Sequence, residues 1–239
     1  MKALLHGVLF LALAACSQTG SGTDTAATDT SSTTTTAASS NETAATDTQP
    51  MTSAAPAAQE KPMSAYQNKI AELHTTAGQI NLRFFPDVAP NHVKNFLELA
   101  EQGFYNGTKF HRIIPGFMIQ GGDPNTISGN PATWGTGGSP NNVKAEFNKI
   151  PHKRGILSMA RSQSPDSASS QFFIVVADST FLDNNYTVFG EVTQGMDVAD
   201  KIVSAPKGAQ DRPNEPVSIT KVVIRDAQTD AEKAPTPAH

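Results

Sequence analysis

The apolar positions of this chain crowd into its middle and are broken at short intervals by turn residues. Ile70 to Thr75 and Gln79 to Phe84 read as two strands joined through Thr76-Ala77-Gly78, and Ile80, Leu82 and Phe84 alternate as in a strand with one buried face. Pro90 opens a helix, where its missing N–H costs nothing; Val93, Phe96, Leu97 and Ala100 recur at helical spacing, and Gly103 closes it. Further strands are predicted at Phe110 to Ile114, Phe117 to Gln120, Ile156 to Ala160, Phe172 to Val176 and Val188 to Val192. A second helix is predicted over Met196 to Val203 and a last strand over Val217 to Arg225. Eight or so short strands with two helices predict a mainly β fold, a closed eight-stranded antiparallel barrel capped by two α-helices. The stretch Gly121 to Pro151 is longer than a simple connector, and loops of that size are often functional.

The two ends of the chain lack this pattern. Met1 and Lys2 precede an apolar run, Ala3 to Leu13, too short to span a bilayer, which needs about 20 residues. It fits a secretory signal ending in small residues. Leu13-Ala14-Ala15-Cys16 looks like the lipobox of bacterial lipoproteins, which implies removal of residues 1–15, lipidation of Cys16 and attachment to the cell envelope through that anchor. Ser17 after the cysteine implies, by the same resemblance, the periplasmic side of the outer membrane if the cell has two membranes. Ser17 to Glu60 comprises 44 residues, of which 13 are Thr, 10 Ala and 7 Ser, with no aromatic residue and no Val, Ile or Leu. Such a segment cannot bury enough surface to offset its ordering entropy, so residues 16–63 are expected to form a disordered tether. As a flexible coil it would reach roughly 35–40 Å root-mean-square. Residues 229–239, with Pro235 and Pro237, also read as disordered, which leaves residues 64–228 as the folded domain.

Composition agrees with this division. The 239 residues are 38% hydrophobic on average, but 15 of the 16 aromatics lie between Tyr66 and Phe189. The formal charge of −4 arises outside residues 64–228, which carry 15 basic and 15 acidic residues. A neutral domain gives no electrostatic case for binding nucleic acid. A single cysteine excludes an intrachain disulfide framework and a cysteine-based metal cluster. His6, His74, His92, His152 and His239 show no metal-ligand spacing, so neither a metal nor another cofactor is expected. Gly135-Thr136-Gly137-Gly138 lacks the lysine and the strand-to-helix setting of a phosphate loop and reads as a surface turn.

The chemistry is carried by four ordered blocks. Phe110-His111-Arg112-Ile113-Ile114-Pro115-Gly116-Phe117-Met118-Ile119-Gln120-Gly121-Gly122-Asp123 resembles the signature of cyclophilins, the peptidyl-prolyl cis-trans isomerases. Gly155 to Ala160, Ser170 to Ile174, and Phe181-Leu182-Asp183 running on to Val188-Phe189-Gly190 follow in the family's order. The resemblance covers essentially all of residues 64–228. It implies an eight-stranded barrel closed by two helices, as the strand count predicts independently. Arg112 matches the arginine that donates toward the prolyl amide, and Gln120 the glutamine that orients the substrate carbonyl and supports it. Phe117, Met118, Phe173 and Leu182 match the apolar pocket that takes the proline ring, Tyr186 is expected to close it as the family's histidine does, and Phe181 is expected among the substrate-binding residues. Gln171 matches a side chain that binds substrate backbone, whereas Ala160 and Arg161 meet substrate largely through their own backbone. His111 is expected to pack behind Arg112 rather than act as a base, and the Gly135–Gly138 turn to lie near the substrate groove.

Seen alone, Arg112 would read as an edge-strand arginine in an ion pair, and Phe117, Met118, Phe172 and Phe173 as core. Strand alternation adds one distinction: Phe172 and Phe173 are adjacent and must face opposite sides. The resemblance assigns Phe173 to the pocket and Phe172 to the core. Three positions depart from the family's common pattern. Phe181 stands where many members have tryptophan, which implies weak cyclosporin binding because an indole N–H is lost. Tyr186 stands in place of histidine and Arg161 in place of asparagine. The leading expectation is an exported, lipid-anchored isomerase acting on proline-containing polypeptides, with nothing to suggest anything other than a monomer. The alternatives are a proline-segment-binding chaperone or scaffold with incidental turnover, and a purely structural lipoprotein.

Overall fold

The alternation at Ile80, Leu82 and Phe84 becomes strand β2 (Gly78–Phe84), hydrogen-bonded in antiparallel register to β1 (Lys69–Thr75). In this computed structural model residues 61–233 and 236 are described; the proposed signal, Cys16 and tether lie outside them, residues 61–63 apart. Ile80, Leu82 and Phe84 face the core, but the intervening Asn81 and Arg83 are buried as well. Cross-strand partners account for this: Asn81 Nδ2 donates to Gln194 Oε1 at 3.1 Å, and Arg83 Nε donates to Glu191 Oε1 at 2.6 Å. Helix α1 (Pro90–Glu101) follows, with Val93, Phe96, Leu97 and Ala100 buried. Its end at Gly103, with φ of +74°, uses the left-handed conformation that glycine adopts without a Cβ penalty.

The remaining elements are β3 (Arg112–Ile114), β4 (Met118–Gly121), α2 (Asn125–Ser128), β5 (Ile156–Met159), β6 (Phe172–Val175), β7 (Val188–Gln194), α3 (Met196–Val203) and β8 (Ile219–Asp226). Strands form one eight-stranded antiparallel sheet in the order β3-β4-β6-β5-β7-β2-β1-β8. Irregularities in register at Thr75, Leu82 and Ser158 bend it, as bulges do.

Two expectations are corrected. The sheet is a curled half-barrel and not a closed barrel, because its edge strands β3 and β8 do not form a ladder with each other. β3 has only three residues, and its edge is met by β8 through the preceding chain: Gly107 N–H donates to Ile219 O at 2.7 Å and Phe110 N–H to Val217 O at 3.0 Å. Among the described residues there are also three α-helices rather than two, since the loop after β4 winds into the four-residue α2. That turn is local: Thr126 N–H and its hydroxyl both find Asp123 O, at 3.2 and 2.6 Å.

The main core lies between the concave sheet and α1 and α3. Phe96 is fully buried there, its ring 4.8 Å from Tyr105, 5.4 Å from Phe84 and Phe172, and 5.7 Å from Phe189. The long loop between α2 and β5 is tied to this core by Glu146. Its carboxylate accepts from Asn91 N–H at 3.1 Å and His92 N–H at 3.0 Å, and lies 2.6 Å from His92 Nδ1. It therefore caps α1, whose own preceding residue, Ala89, offers no side-chain acceptor. Burial alone would raise the Glu146 pKa. The hydrogen bonds from the His92 ring and the two backbone N–H groups outweigh it and hold the carboxyl below its ordinary range. At the other end of the domain, Arg225 on β8 is bracketed by Glu72 and Glu232, at 2.5 and 2.6 Å. The turn at Thr229–Lys233 is thereby held against the sheet.

Candidate active site

Register decides which side chains meet. Arg112 pairs with Gln120, Gln120 with Phe173, and Phe173 with Ser158, across β3, β4, β6 and β5. The next row is Ile113, Ile119, Ile174 and Leu157, all fully buried in the main core. Since successive residues of a strand point to opposite faces, the first row must lie on the face away from that core. Ile114, Met118 and Val175 return to the same face as Arg112, two positions along. Phe172 and Phe173 divide as the strand phase predicts. Phe172 packs edge-on to Phe96, Tyr105 and Phe110, whereas Phe173 joins a second apolar cluster with Met118, Val175, Leu182 and Val188.

A polar arm runs along one side of this cluster. Arg112 Nη1 donates to Gln120 Oε1 at 3.4 Å, and Gln120 Nε2 donates to Gln171 Oε1 at 2.9 Å. Gln171 Nε2 in turn donates to the carbonyls of Gly135 and Gly137, at 3.0 and 2.7 Å. The chain of amides has one polarity, which fixes the oxygen of Gln120 toward the guanidinium. On its other side Arg112 Nε lies 3.9 Å from Asp211 Oδ2, whose other oxygen accepts from Lys207 Nζ at 2.7 Å. Gln210 and Asp211 sit in the left-handed region, with φ of +61° and +57°, a local conformation costly for residues bearing a Cβ. Arg112 keeps a little over a third of its side chain exposed.

The apolar side is the surface of this second cluster, where the resemblance expects the proline pocket. Met118, Phe173 and Leu182 are buried in it, with Phe117, Ala160 and Tyr186 partly buried around it. Phe181 is 69% exposed, its ring 5.2 Å from that of Phe117, and so forms an outer lip. Tyr186 stands edge-on to Phe173 at 5.9 Å, and the guanidinium of Arg161 lies over the Tyr186 ring at 4.8 Å. Ala160 is held to β6 by its N–H, which donates to Gln171 O at 2.9 Å. The structure thus brings Arg112, Gln120, Gln171, Phe117, Met118, Phe173, Leu182, Phe181, Tyr186, Ala160 and Arg161 together on or beside this one face, whereas His111 lies behind it.

Two histidines are buried behind it. His111 lies under Gly135 with neither ring nitrogen hydrogen-bonded among the described residues. Burial lowers its pKa, and the nearby Asp123 carboxylate only partly opposes this. The ring is therefore neutral, as suits packing rather than proton transfer. His152 stacks on Phe173 with ring centres 6.2 Å apart. Its Nδ1 lies 2.9 Å from Asp183 Oδ1, which also accepts from its backbone N–H at 2.8 Å, and its Nε2 lies 3.0 Å from Ser158 Oγ. The carboxylate accepts only, so Nδ1 carries the proton. This contact anchors the turn Thr180–Leu182, and hence Leu182, to the Phe173 cluster. Burial lowers the His152 pKa as well, with Asp183 opposing.

The set of residues on this face coincides with a known family. The family model for cyclophilin type peptidyl-prolyl cis-trans isomerases matches residues 70–224, which spans both the polar arm and the pocket. The chain belongs to the cyclophilins. It is accordingly a peptidyl-prolyl cis-trans isomerase. Among curated relatives, the peptidyl-prolyl cis-trans isomerase of Acinetobacter baylyi is 43% identical over 174 residues, covering 69% of this chain and 90% of its own. Peptidyl-prolyl cis-trans isomerase B of Escherichia coli is 44% identical over 164 residues, covering 63% of this chain and 96% of its own. A solved cyclophilin-type isomerase of Cryptosporidium parvum, crystallised in the presence of the dipeptide Ala-Pro, superimposes with a TM-score of 0.60 at 31% identity. That match covers 66% of this chain and 99% of the other.

The Gly135–Gly138 turn, expected near the substrate groove, is there and accepts from Gln171, but His152, Asp183, Ser158 and Asp211, which also shape this cyclophilin's site, were not foreseen. They act through contacts between residues far apart in sequence, and no local spacing announces them. The two buried histidines generate a prediction. Their native pKa values lie below the unfolded value of about 6.5, so their contribution to stability is complete above that pH and is lost as pH falls through the native values. Stability measured by denaturant unfolding should therefore fall from pH 7 to pH 5. His111→Gln should flatten that slope, and an unchanged slope would show that His111 is not the source.

Proposed function

We propose that this cyclophilin isomerises Xaa-Pro bonds of exported proteins, held at the membrane by a lipid on Cys16, and that it does so without forming a bond to its substrate. Amide resonance sets a barrier of ~18–20 kcal/mol, and uncatalysed exchange at proline takes tens to hundreds of seconds. Resonance is broken in the twisted amide, where the nitrogen lone pair localises and becomes a hydrogen-bond acceptor. A donor fixed at that nitrogen binds the twisted state better than either planar isomer, which is the requirement for rate enhancement.

The observation that carries the reading is the juxtaposition of Arg112 with the Phe173 pocket on one sheet face. A proline ring in the pocket formed by Phe173, Met118 and Leu182 brings its nitrogen toward the guanidinium. Gln120 and Asp211 draw on the Nη1 and Nε sides of that guanidinium, and its remaining N–H groups are open to the substrate. A planar five-donor fork suits this task, and a lysine ammonium would not hold the same geometry. Phe117 and Phe181 shield the amide, which strengthens the hydrogen bond from Arg112. Gln171 and the backbone beside Ala160 supply partners for an extended peptide. Phe181 lacks an indole N–H, and weak cyclosporin binding follows from that.

The exported setting rests on the apolar leader and Leu13-Ala14-Ala15-Cys16, with a tether long enough to carry the domain clear of a bilayer. A single acyl chain gives marginal anchoring and several give stable anchoring, so lipidation of Cys16 with more than one chain is implied.

Arg112→Ala should lower kcat/KM for a proline peptide by about 10²-fold or more, the usual effect of removing one preorganised donor. Circular dichroism should stay unchanged, and retention of full activity would remove Arg112 from the mechanism. In fractionated cells, Cys16→Ser should move the protein from the membrane to the soluble fraction. Continued membrane association would contradict the anchor.

A further inference from the structure

Beside the Phe173 cluster lies a groove of about 560 Å³ bounded by Gln120 and Gln171 on one side and by the Gly135–Gly138 turn and Ala160–Ser162 on the others. Its walls are glycines, Ala160 and neutral polar side chains, apart from one charged residue. That residue, the only charged one lining it among the described residues, is Arg161.

The guanidinium of Arg161 is held still. Its Nε and Nη2 donate to Asn185 O at 3.2 and 3.1 Å, and Nη1 donates to Ser162 O and Gln163 O at 3.0 and 3.2 Å. The ring of Tyr186 lies 4.8 Å beneath it. These partners fix the position of the charge without neutralising it. The carboxylates on the neighbouring loops are engaged elsewhere: Asp166 accepts from Ala145 N–H at 2.9 Å, and Asp183 binds His152. No carboxylate among the described residues is within ion-pair distance of Arg161. An immobilised cation without a counter-ion, in a neutral groove continuous with the Gln120–Gln171 arm, favours a negative charge brought in by the ligand.

We infer that Arg161 makes this isomerase selective for the charge of the residues flanking proline, with Asp or Glu side chains preferred over neutral ones and Lys or Arg disfavoured. The inference rests on the isomerase reading and narrows its substrate class. Arg161 acts here as a specificity residue, since the proline ring and its amide are served by Phe173 and Arg112.

The test uses NMR exchange rates with the full chain and a host peptide carrying Glu, Gln or Lys at each of three positions on either side of Ala-Pro. The readout is the ratio of kcat/KM between charge variants within one enzyme. At low salt Glu should exceed Gln by about two- to fivefold at one position or more, with Lys below Gln, the scale expected of a partly exposed ion pair. At 1 M salt, where the screening length is about 3 Å, the ratio should approach one. Arg161→Gln should abolish the ratio, and Arg161→Lys should retain part of it. Equal rates for Glu, Gln and Lys at every position overturn the inference while leaving the isomerase reading intact, as does a ratio that persists in 1 M salt or in Arg161→Gln. Absence of catalysed exchange with every peptide overturns the isomerase reading and this inference with it.

Discussion

Strand register is the constraint on which the rest of this structure depends. One row across β3, β4, β6 and β5 carries Arg112, Gln120, Phe173 and Ser158, and the adjacent row carries Ile113, Ile119, Ile174 and Leu157. The period of a strand is two, so a slip of one residue in any of these ladders would exchange a residue of the site face for a core aliphatic one. The core therefore specifies the site. Burying the four-residue aliphatic row, with α1 and α3 packed on it, fixes the polar and aromatic row on the opposite face to within a fraction of a strand spacing.

The site then divides its labour. The one Ser–His–Asp contact among the described residues is closed off: Ser158 Oγ is fully buried, 3.0 Å from His152 Nε2 and 2.9 Å from Thr187 O, and burial lowers the pKa of His152 and of His111. The site offers a donor and an apolar seat, which on the proposed mechanism is what rotation about an amide needs. Arg112 is linked through a chain of side-chain amides to the carbonyls of Gly135 and Gly137, so on the proposed mechanism the long loop after β4 supports the donor without touching the reacting bond. The His152–Asp183 contact plays the corresponding part for the pocket by fixing Leu182 against Phe173.

Much of this was legible in the sequence. Positions of β1, β2, α1 and α3 follow from periodicity and from Pro90 and Gly103, because those signals are local. The opposed roles of Phe172 and Phe173 follow from strand phase combined with the family's block order. What sequence missed depends on distance or on length. The helix Asn125–Ser128 is a single turn, too short for periodicity to register, and is made by Asp123 accepting from Thr126. The strand count could not say that β3, three residues long, leaves the sheet a half-barrel met at its edge by the segment before it. The burial of Asn81 and Arg83 comes from partners on β7 more than 100 residues away. Arg161 was legible as a residue but not as a charge without a counter-ion, which only the placement of Asp166 and Asp183 reveals.

On the proposed mechanism Gln120 acts by holding Arg112 against the prolyl amide. A double-mutant cycle measures this directly, from kcat/KM of the parent, Gln120→Ala, Arg112→Ala and the double variant on one neutral proline peptide. The account predicts strong non-additivity: Gln120→Ala lowers the rate when Arg112 is present and changes it little once Arg112 is gone. Additive losses would show that the two residues act independently and would contradict the account.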